Sequence, residues 1–325
     1  MRTLVRLGYV AMSVNVPNSS PSQTMTYTRF KQIDDREAAI TKLERIAESN
    51  IHNCIRLLKH NAANDISFFR LSSRLVPLAT HEDLAGWRYL ESISEPLLEL
   101  GGIAKKKGMR IDFHPDHFVV VNSPKKEVLL NALKVLTYHY HLLKGIGIEP
   151  KHRAVLHVGG AYQNKAKALE QFVLNWAIVP RSIQDMIMIE NDDKSFDMMD
   201  CLYLCNKLGL PFVFDYHHHL ANHSDPDWKS HWNRVVGTWE VSKLPIKMHI
   251  SSPKSDKQYR SHADFVDPSM FLDFLKGINS SVPQIDCMIE AKKKDQALFQ
   301  LMKDLKSLNA IEAVDGASFY LKKGV

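Results

Sequence analysis

The chain has 325 residues, 42 Lys and Arg against 36 Asp and Glu, and a formal net charge of +6. Hydrophobic residues make up 45%, enough for a large core, and one (β/α)8 barrel fits this length as a single domain over residues 1–325. No apolar run reaches the ~20 residues of a bilayer span, so no membrane partner is expected.

Thr3 to Tyr9 reads as a first strand, followed by a long loop rich in Ser, Pro, Asn and Thr over Ser13 to Thr28. Asp34 or Asp35 caps an expected helix through Ala47, and a second helix is expected over Ile51 to Asn61. Ile66 to Leu71 is the next strand, then a loop to His81, then a helix from about Leu84 to Lys107 that Pro96 bends or divides. Met109 to His114 predicts a strand and Lys126 to Lys144 a helix. Arg153 to His157 is another strand, and Gly159-Gly160 opens a loop before a helix over Lys165 to Trp176. Met186 to Glu190 is a strand and Asp197 to Leu208 a helix. Pro211-Phe212-Val213-Phe214 is an apolar run that stops in Asp215 and the imidazoles of His217, His218 and His219. Leu244 to Ile250 and Gln284 to Glu290 are the last strands, with helices over Pro268 to Lys276 and Gln296 to Ser307.

Strand and helix alternate about eight times, which predicts an α/β fold closed into a (β/α)8 TIM barrel with its site at the C-terminal ends of the strands. A doubly wound open sheet competes, but it needs a Gly-rich phosphate turn after the first strand, and Gly8-Tyr9-Val10 is not one. Met1 to Val10 lacks the apolar core and cleavage site of a secretory signal. Cys54, Cys201, Cys205 and Cys287 form no CxxC pair, and scattered cysteine fits a reducing cytoplasm.

The last residues of the predicted strands are His114, His157, Glu190, Asp215, His249 and Glu290, with His81, His218 and His262 nearby. Six strands that each end in a metal-competent side chain point to a metal centre. One ion uses about four to six groups, so this set predicts two or three ions sharing carboxylates. Close metal pairs serve phosphoryl hydrolysis. Lys247 lies two residues before His249 and so faces the same way. An ammonium there must be deprotonated, modified, or paired with Glu290 or Asp215.

The blocks Phe69-Arg70-Leu71-Ser72-Ser73, His157-Val158-Gly159-Gly160-Ala161-Tyr162, Ile189-Glu190-Asn191-Asp192-Asp193, Phe214-Asp215-Tyr216-His217-His218, Lys247-Met248-His249-Ile250-Ser251-Ser252, Ser261-His262-Ala263-Asp264 and Met288-Ile289-Glu290-Ala291-Lys292 resemble the UV damage endonuclease family, from Arg6 to about Leu308. The resemblance implies an AP-endonuclease-like barrel that cuts DNA immediately 5′ to UV photoproducts, leaving a 3′-hydroxyl and a 5′-phosphate. Its substrates would be cyclobutane pyrimidine dimers and 6-4 photoproducts, and cutting at abasic sites stays an open alternative. It implies three Mn2+ ions, with Zn2+, Mg2+ or Co2+ as alternatives. The implied ligands are His81, His114, His157, Glu190, Asp215, His218, His249, His262 and Glu290, and the implied catalytic groups are Glu190, Glu290, Lys247 and His249. Lys247 matches the position where the family carries a carboxylated lysine. The resemblance further implies a cytoplasmic monomer acting at the bacterial nucleoid.

The family probes the damaged duplex with a Gln-Tyr pair where this chain has His117-Phe118. Phe118 keeps the aromatic face such a wedge needs. Tyr9 matches an aromatic of the lesion pocket, whereas Ser13 stands at the ungapped position of an expected asparagine. A basic chain favours polyanions. Expected phosphate partners at the barrel mouth are Arg74, Lys125, Lys126, Lys254, Lys257 and Arg260, with Tyr259 interleaved. Two other readings fit less of the pattern: a metal-dependent sugar isomerase on a similar barrel, and a non-catalytic damage-binding protein.

Overall fold

Short apolar runs build eight parallel strands: β1 (Leu4–Val10), β2 (Phe68–Arg70), β3 (Arg110–Asp112), β4 (Ala154–His157), β5 (Ile187–Glu190), β6 (Phe212–Asp215), β7 (Ile246–Ile250) and β8 (Gln284–Ile289). The computed structural model describes residues 2–322, so the outermost residues of the expected 1–325 domain lie outside it. The strands lie in the order β3-β2-β1-β8-β7-β6-β5-β4. Phe113 closes the ring: its N–H donates to Arg153 O at 2.7 Å, and its carbonyl accepts from Val155 N at 3.0 Å. The result is the expected (β/α)8 barrel. Every residue of β5 and β6 is buried, because one face of each meets the barrel interior and the other meets the helices.

Helices Arg36–Ala63, Ser94–Lys106, Lys126–Gly145, Lys165–Trp176, Met198–Leu208, Trp228–Thr238, Pro268–Ile278 and Lys294–Ser307 form the outer layer. The apolar core sits between them and the ring. Leu57, Leu142, Phe172, Leu202, Phe271 and Leu301 there are at most 1% exposed. Each such side chain contributes about 1.5–3 kcal/mol on burial.

Several elements differ from the sequence reading. Arg36–Ala63 is one unbroken helix, not two. Asn50 does not interrupt it, because its buried amide accepts from Gln23 N and donates to the carbonyls of Gln23 and Leu75. The expected 84–107 helix is divided at Ile93, and Pro96 falls in the first turn of Ser94–Lys106, where a missing N–H costs little. His217, His218 and His219 belong to a short helix, Tyr216–Ala221, rather than to the strand end. The helix Trp228–Thr238 was not expected; Asp227 caps it, and Trp228, Trp232 and Val235 bury one face. The chain ends in an unexpected antiparallel hairpin, β9 (Ile311–Ala313) with β10 (Ser318–Leu321). β10 pairs with the first half of β1 at Leu4–Arg6, while β2 pairs with the second half at Tyr9–Val10.

The barrel interior below the strand ends is ionic rather than apolar. Asp286 on β8 accepts two bonds from Arg6 on β1, at 2.7 and 2.9 Å, and one from Arg110 on β3 at 3.0 Å. Arg110 also pairs with Asp112 at 3.0 Å, and Asp112 meets Arg153 at 3.5 Å and Lys247 on β7 at 3.4 Å. Contacts between strands that are not neighbours can only cross the interior. A buried ionic layer of this kind is costly to desolvate, and removing one partner strands the others. Val10, Phe68 and Met288 form a small apolar cluster of their own.

Candidate metal centre

Register brings the strand ends level. His157 pairs with Glu190, Asp215 with His249, and Ile250 with Ile289. Period-two alternation then aims Glu190, Asp215, His249 and Glu290 at the barrel axis. Glu190 lies at the hub. Its Oε2 is 2.8 Å from His114 Nε2 and 3.6 Å from His157 Nε2. Its Oε1 is 2.7 Å from His249 Nδ1 and 3.7 Å from His218 Nδ1. His249 Nδ1 is also 3.2 Å from Glu290 Oε1, and His218 Nδ1 lies 3.7 Å from Asp215 Oδ2.

Backbone carbonyls orient several of these rings. His114 Nδ1 meets Pro115 O at 3.1 Å, His218 Nδ1 meets Asn191 O at 2.9 Å, and His262 Nδ1 meets Glu290 O at 2.7 Å. With an ion bound, such a bond would keep Nδ1 protonated and turn Nε2 toward the metal, the arrangement that metal-ligating imidazoles use. Asn191 also braces β6: its amide donates to Asp215 O at 3.0 Å and accepts from Asp215 N at 2.9 Å.

Electrostatics match the geometry. Burial works against the Glu190 charge, but His249, His157 and His114 outweigh it and hold the carboxyl well below its usual range. Burial also opposes the charge on Glu290, which Arg70 and His249 keep ionised. Burial alone would neutralise His218; Asp215, then Glu190 and Glu290, instead raise its pKa to about 9. The His114 imidazole, pushed down by burial against the pull of Glu190, titrates at about 4.

Three groups of side chains could each hold a metal ion: His114, His157 and Glu190; Glu190, Asp215 and His218; Glu190, His249 and Glu290. Glu190 belongs to all three. Asp215 Oδ2, His157 Nδ1 and His249 Nε2 are buried without a hydrogen-bond partner. Unpaired buried polar atoms are costly and rare. Divalent cations fit these residues, since hard carboxylate oxygens and imidazole nitrogens are presented together at the end of an otherwise sealed barrel.

The other predicted residues fall in different places. His262 lies at the rim, 4.0 Å from Glu290 Oε2. His81 is not in any of the three groups. Its ring stacks on Tyr27 with centroids 3.8 Å apart, and its Nδ1 accepts from Asp83 N at 3.3 Å. It lines a cleft of about 800 Å³ with Tyr89, Tyr138 and His141. Tyr9 does not reach the mouth: it is fully buried, packs edge-on against Phe69 and donates to Asn61 Oδ1 at 2.6 Å. A direct lesion contact is therefore not available to it. Lys247 pairs with Asp112, one layer down, rather than with Glu290 or Asp215.

The loop residues do reach solvent. Phe118 is 70% exposed, with the His117 ring tilted against it at 41° and their centroids 4.0 Å apart. Arg74 is exposed and pairs with Asp116 at 3.2 Å. Lys125 and Lys126 are exposed at the start of their helix, as are Lys254, Lys257, Tyr259 and Arg260 in the loop before His262. His217 anchors that loop: Ser251 Oγ meets its Nδ1 and Tyr259 O its Nε2, both at 2.7 Å. With both nitrogens taken, His217 is a brace. The sequence reading missed Arg70, which ion-pairs with Glu290. Its position, last in β2, was the available signal.

A model of the UV-endonuclease UvdE family matches residues 5–320. The chain belongs to that family. It is 52% identical over 311 residues to a UV DNA damage endonuclease of Halalkalibacterium halodurans, covering 95% of this chain and 97% of that one. A UV DNA damage endonuclease of Bacillus cereus is 38% identical over 314 residues, with 97% and 98% covered. The crystal structure of SacUVDE superposes with a TM-score of 0.82 at 28% identity, covering 94% and 99%. Endonuclease IV from Thermus thermophilus shares the fold, with a TM-score of 0.52 at 12% identity over 93% of this chain and 99% of that one. The sequence blocks that contain Glu190, Asp215, His249 and Glu290 are the ones whose side chains converge here.

Proposed function

We propose that the protein is a metal-dependent DNA repair endonuclease that hydrolyses the phosphodiester immediately 5′ to a UV photoproduct, leaving a 3′-hydroxyl and a 5′-phosphate. The observation that carries this reading is Glu190, buried between four imidazoles and shared by three ligand groups, in a chain 52% identical to a UV DNA damage endonuclease. His114, His157, Glu190, Asp215, His218, His249, His262 and Glu290 would hold the ions, manganese first among the candidates. Bound divalent ions supply Lewis acidity toward phosphoryl oxygens and lower the pKa of water.

The chain's own residues do the rest. Glu190 fixes the spacing of the groups it joins. Phe118, supported by His117, enters a duplex that a photoproduct has already weakened, since displacing poorly stacked bases costs less. Arg74, Lys257, Tyr259 and Arg260 line the approach and take the phosphate backbone. Burial, against the pull of Asp112, lowers the Lys247 pKa to about 8. Its free amine is thus accessible near neutral pH, which the carboxylated form requires.

Supercoiled plasmid, irradiated or not, tests the reading. Nicking of irradiated plasmid with manganese, abolished by chelator and absent without irradiation, is expected. Binding of irradiated DNA with no nicking under any divalent metal would overturn it in favour of a damage-binding protein.

A further inference from the structure

Arg70 is a cation set among groups that should themselves gather cations. It ends β2, in the layer of strand ends that holds the ligand groups, and its side chain is 16% exposed. One prong, Nη1, is taken by Glu290. The opposite edge, Nε and Nη2, bonds to nothing among the described residues, yet neither atom is sealed from solvent. A fixed guanidinium beside an ion-binding carboxylate is unfavourable when divalent ions are added, unless an anion joins them. The vacant edge of an arginine matches two oxygens of one anion, and phosphate geometry suits it.

We propose that Arg70 is a further catalytic residue, contacting the scissile phosphodiester through its Nε–Nη2 edge while Glu290 holds Nη1. This rests on the endonuclease reading of the site. The edge would bind a non-bridging oxygen and stabilise the charge that develops on it during hydrolysis. Glu290 keeps the fork from rotating, so the contact needs no rearrangement. The role is distinct from that of the loop lysines, which meet phosphates away from the cut.

The experiment compares wild type, Arg70→Gln and Arg70→Lys on a duplex with one photoproduct. Two versions are made, with a normal phosphate or a neutral methylphosphonate at the linkage 5′ to the lesion. Binding is measured in chelator, so that it does not depend on incision or metal loading. Wild type should lose about tenfold in affinity on the methylphosphonate duplex, and Arg70→Gln should show no further loss. With manganese, Arg70→Gln should cut about 10²–10³-fold more slowly at unchanged metal content, and Arg70→Lys should fall between. Equal losses for wild type and Arg70→Gln on the neutral linkage would overturn the proposal. So would loss of bound metal in both variants, since Arg70 would then act only as a strut for Glu290. Wild type that cuts no normal lesion duplex would instead overturn the endonuclease reading.

Discussion

Glu190 stands between His114, His157, His218 and His249 and is almost wholly buried, so its charge serves as a shared anchor. Glu190→Gln keeps the shape and removes the charge. Bound metal measured by elemental analysis should fall by at least one ion per chain. Incision of irradiated plasmid should drop by on the order of 10³-fold or more. His81→Ala should leave the metal content unchanged, because His81 stacks on Tyr27 outside the ligand groups. Tyr9 and Phe118 make a second contrast, since one is buried and the other 70% exposed. Tyr9→Phe leaves Asn61 without its donor and should cost about 1–3 kcal/mol in urea unfolding, with lesion preference intact. Phe118→Ala should do the reverse: unchanged stability, but a smaller ratio of damaged to undamaged duplex bound.

Among the elements, the helix Met198–Leu208 links the site to its surroundings. Its cap, Asp197, accepts from Met199 N and Asp200 N, and its second oxygen accepts from Ser224 N at 2.9 Å. The cap thereby holds the segment that follows the His218 helix. Burial works against the Asp197 charge, but hydrogen bonding from Ser224 and the Asp200 N–H, the Lys165 charge and the Met199 N–H hold its pKa below the ordinary value. A carboxyl lowered in the folded state stabilises above its unfolded pKa, and the benefit fades as pH falls through the folded value. Asp197→Ala should therefore cost about 1–2 kcal/mol at pH 7, and the difference from wild type should shrink below about pH 4. Urea unfolding of both proteins from pH 7 to pH 3 checks this. A constant difference across that range would mean that the carboxylate charge is not what matters.

At the scale of the whole molecule, strand ends were legible where an apolar run stops in a ligand-type residue, as Phe212-Val213-Phe214 stops in Asp215. Such a stop states where the barrel interior meets water. The direction of Tyr9 was legible too, though only by parity. Arg6 pairs with Asp286 on the neighbouring strand β8, and Asp286 reaches Arg110 on β3 through the interior, so Gly8 and Val10 follow Arg6 inward and Tyr9 faces the helices. The hairpin carried a signal in Asp315-Gly316, a favoured turn pair, but its strands of three and four residues are too short for period to show. His81 and Lys247 were less tractable. Their partners, Tyr27 and Asp112, lie in segments that only the closed barrel brings near them. The same closure makes Glu190 a hub, which no local pattern reveals.

The most direct measurement is mapped incision of a duplex bearing one cyclobutane pyrimidine dimer, end-labelled on either strand, with manganese or with chelator. A single cut immediately 5′ to the dimer, present with manganese and absent with chelator, is the predicted result. Cutting that persists in chelator, or falls anywhere other than that linkage, would contradict a multi-ion centre built around Glu190.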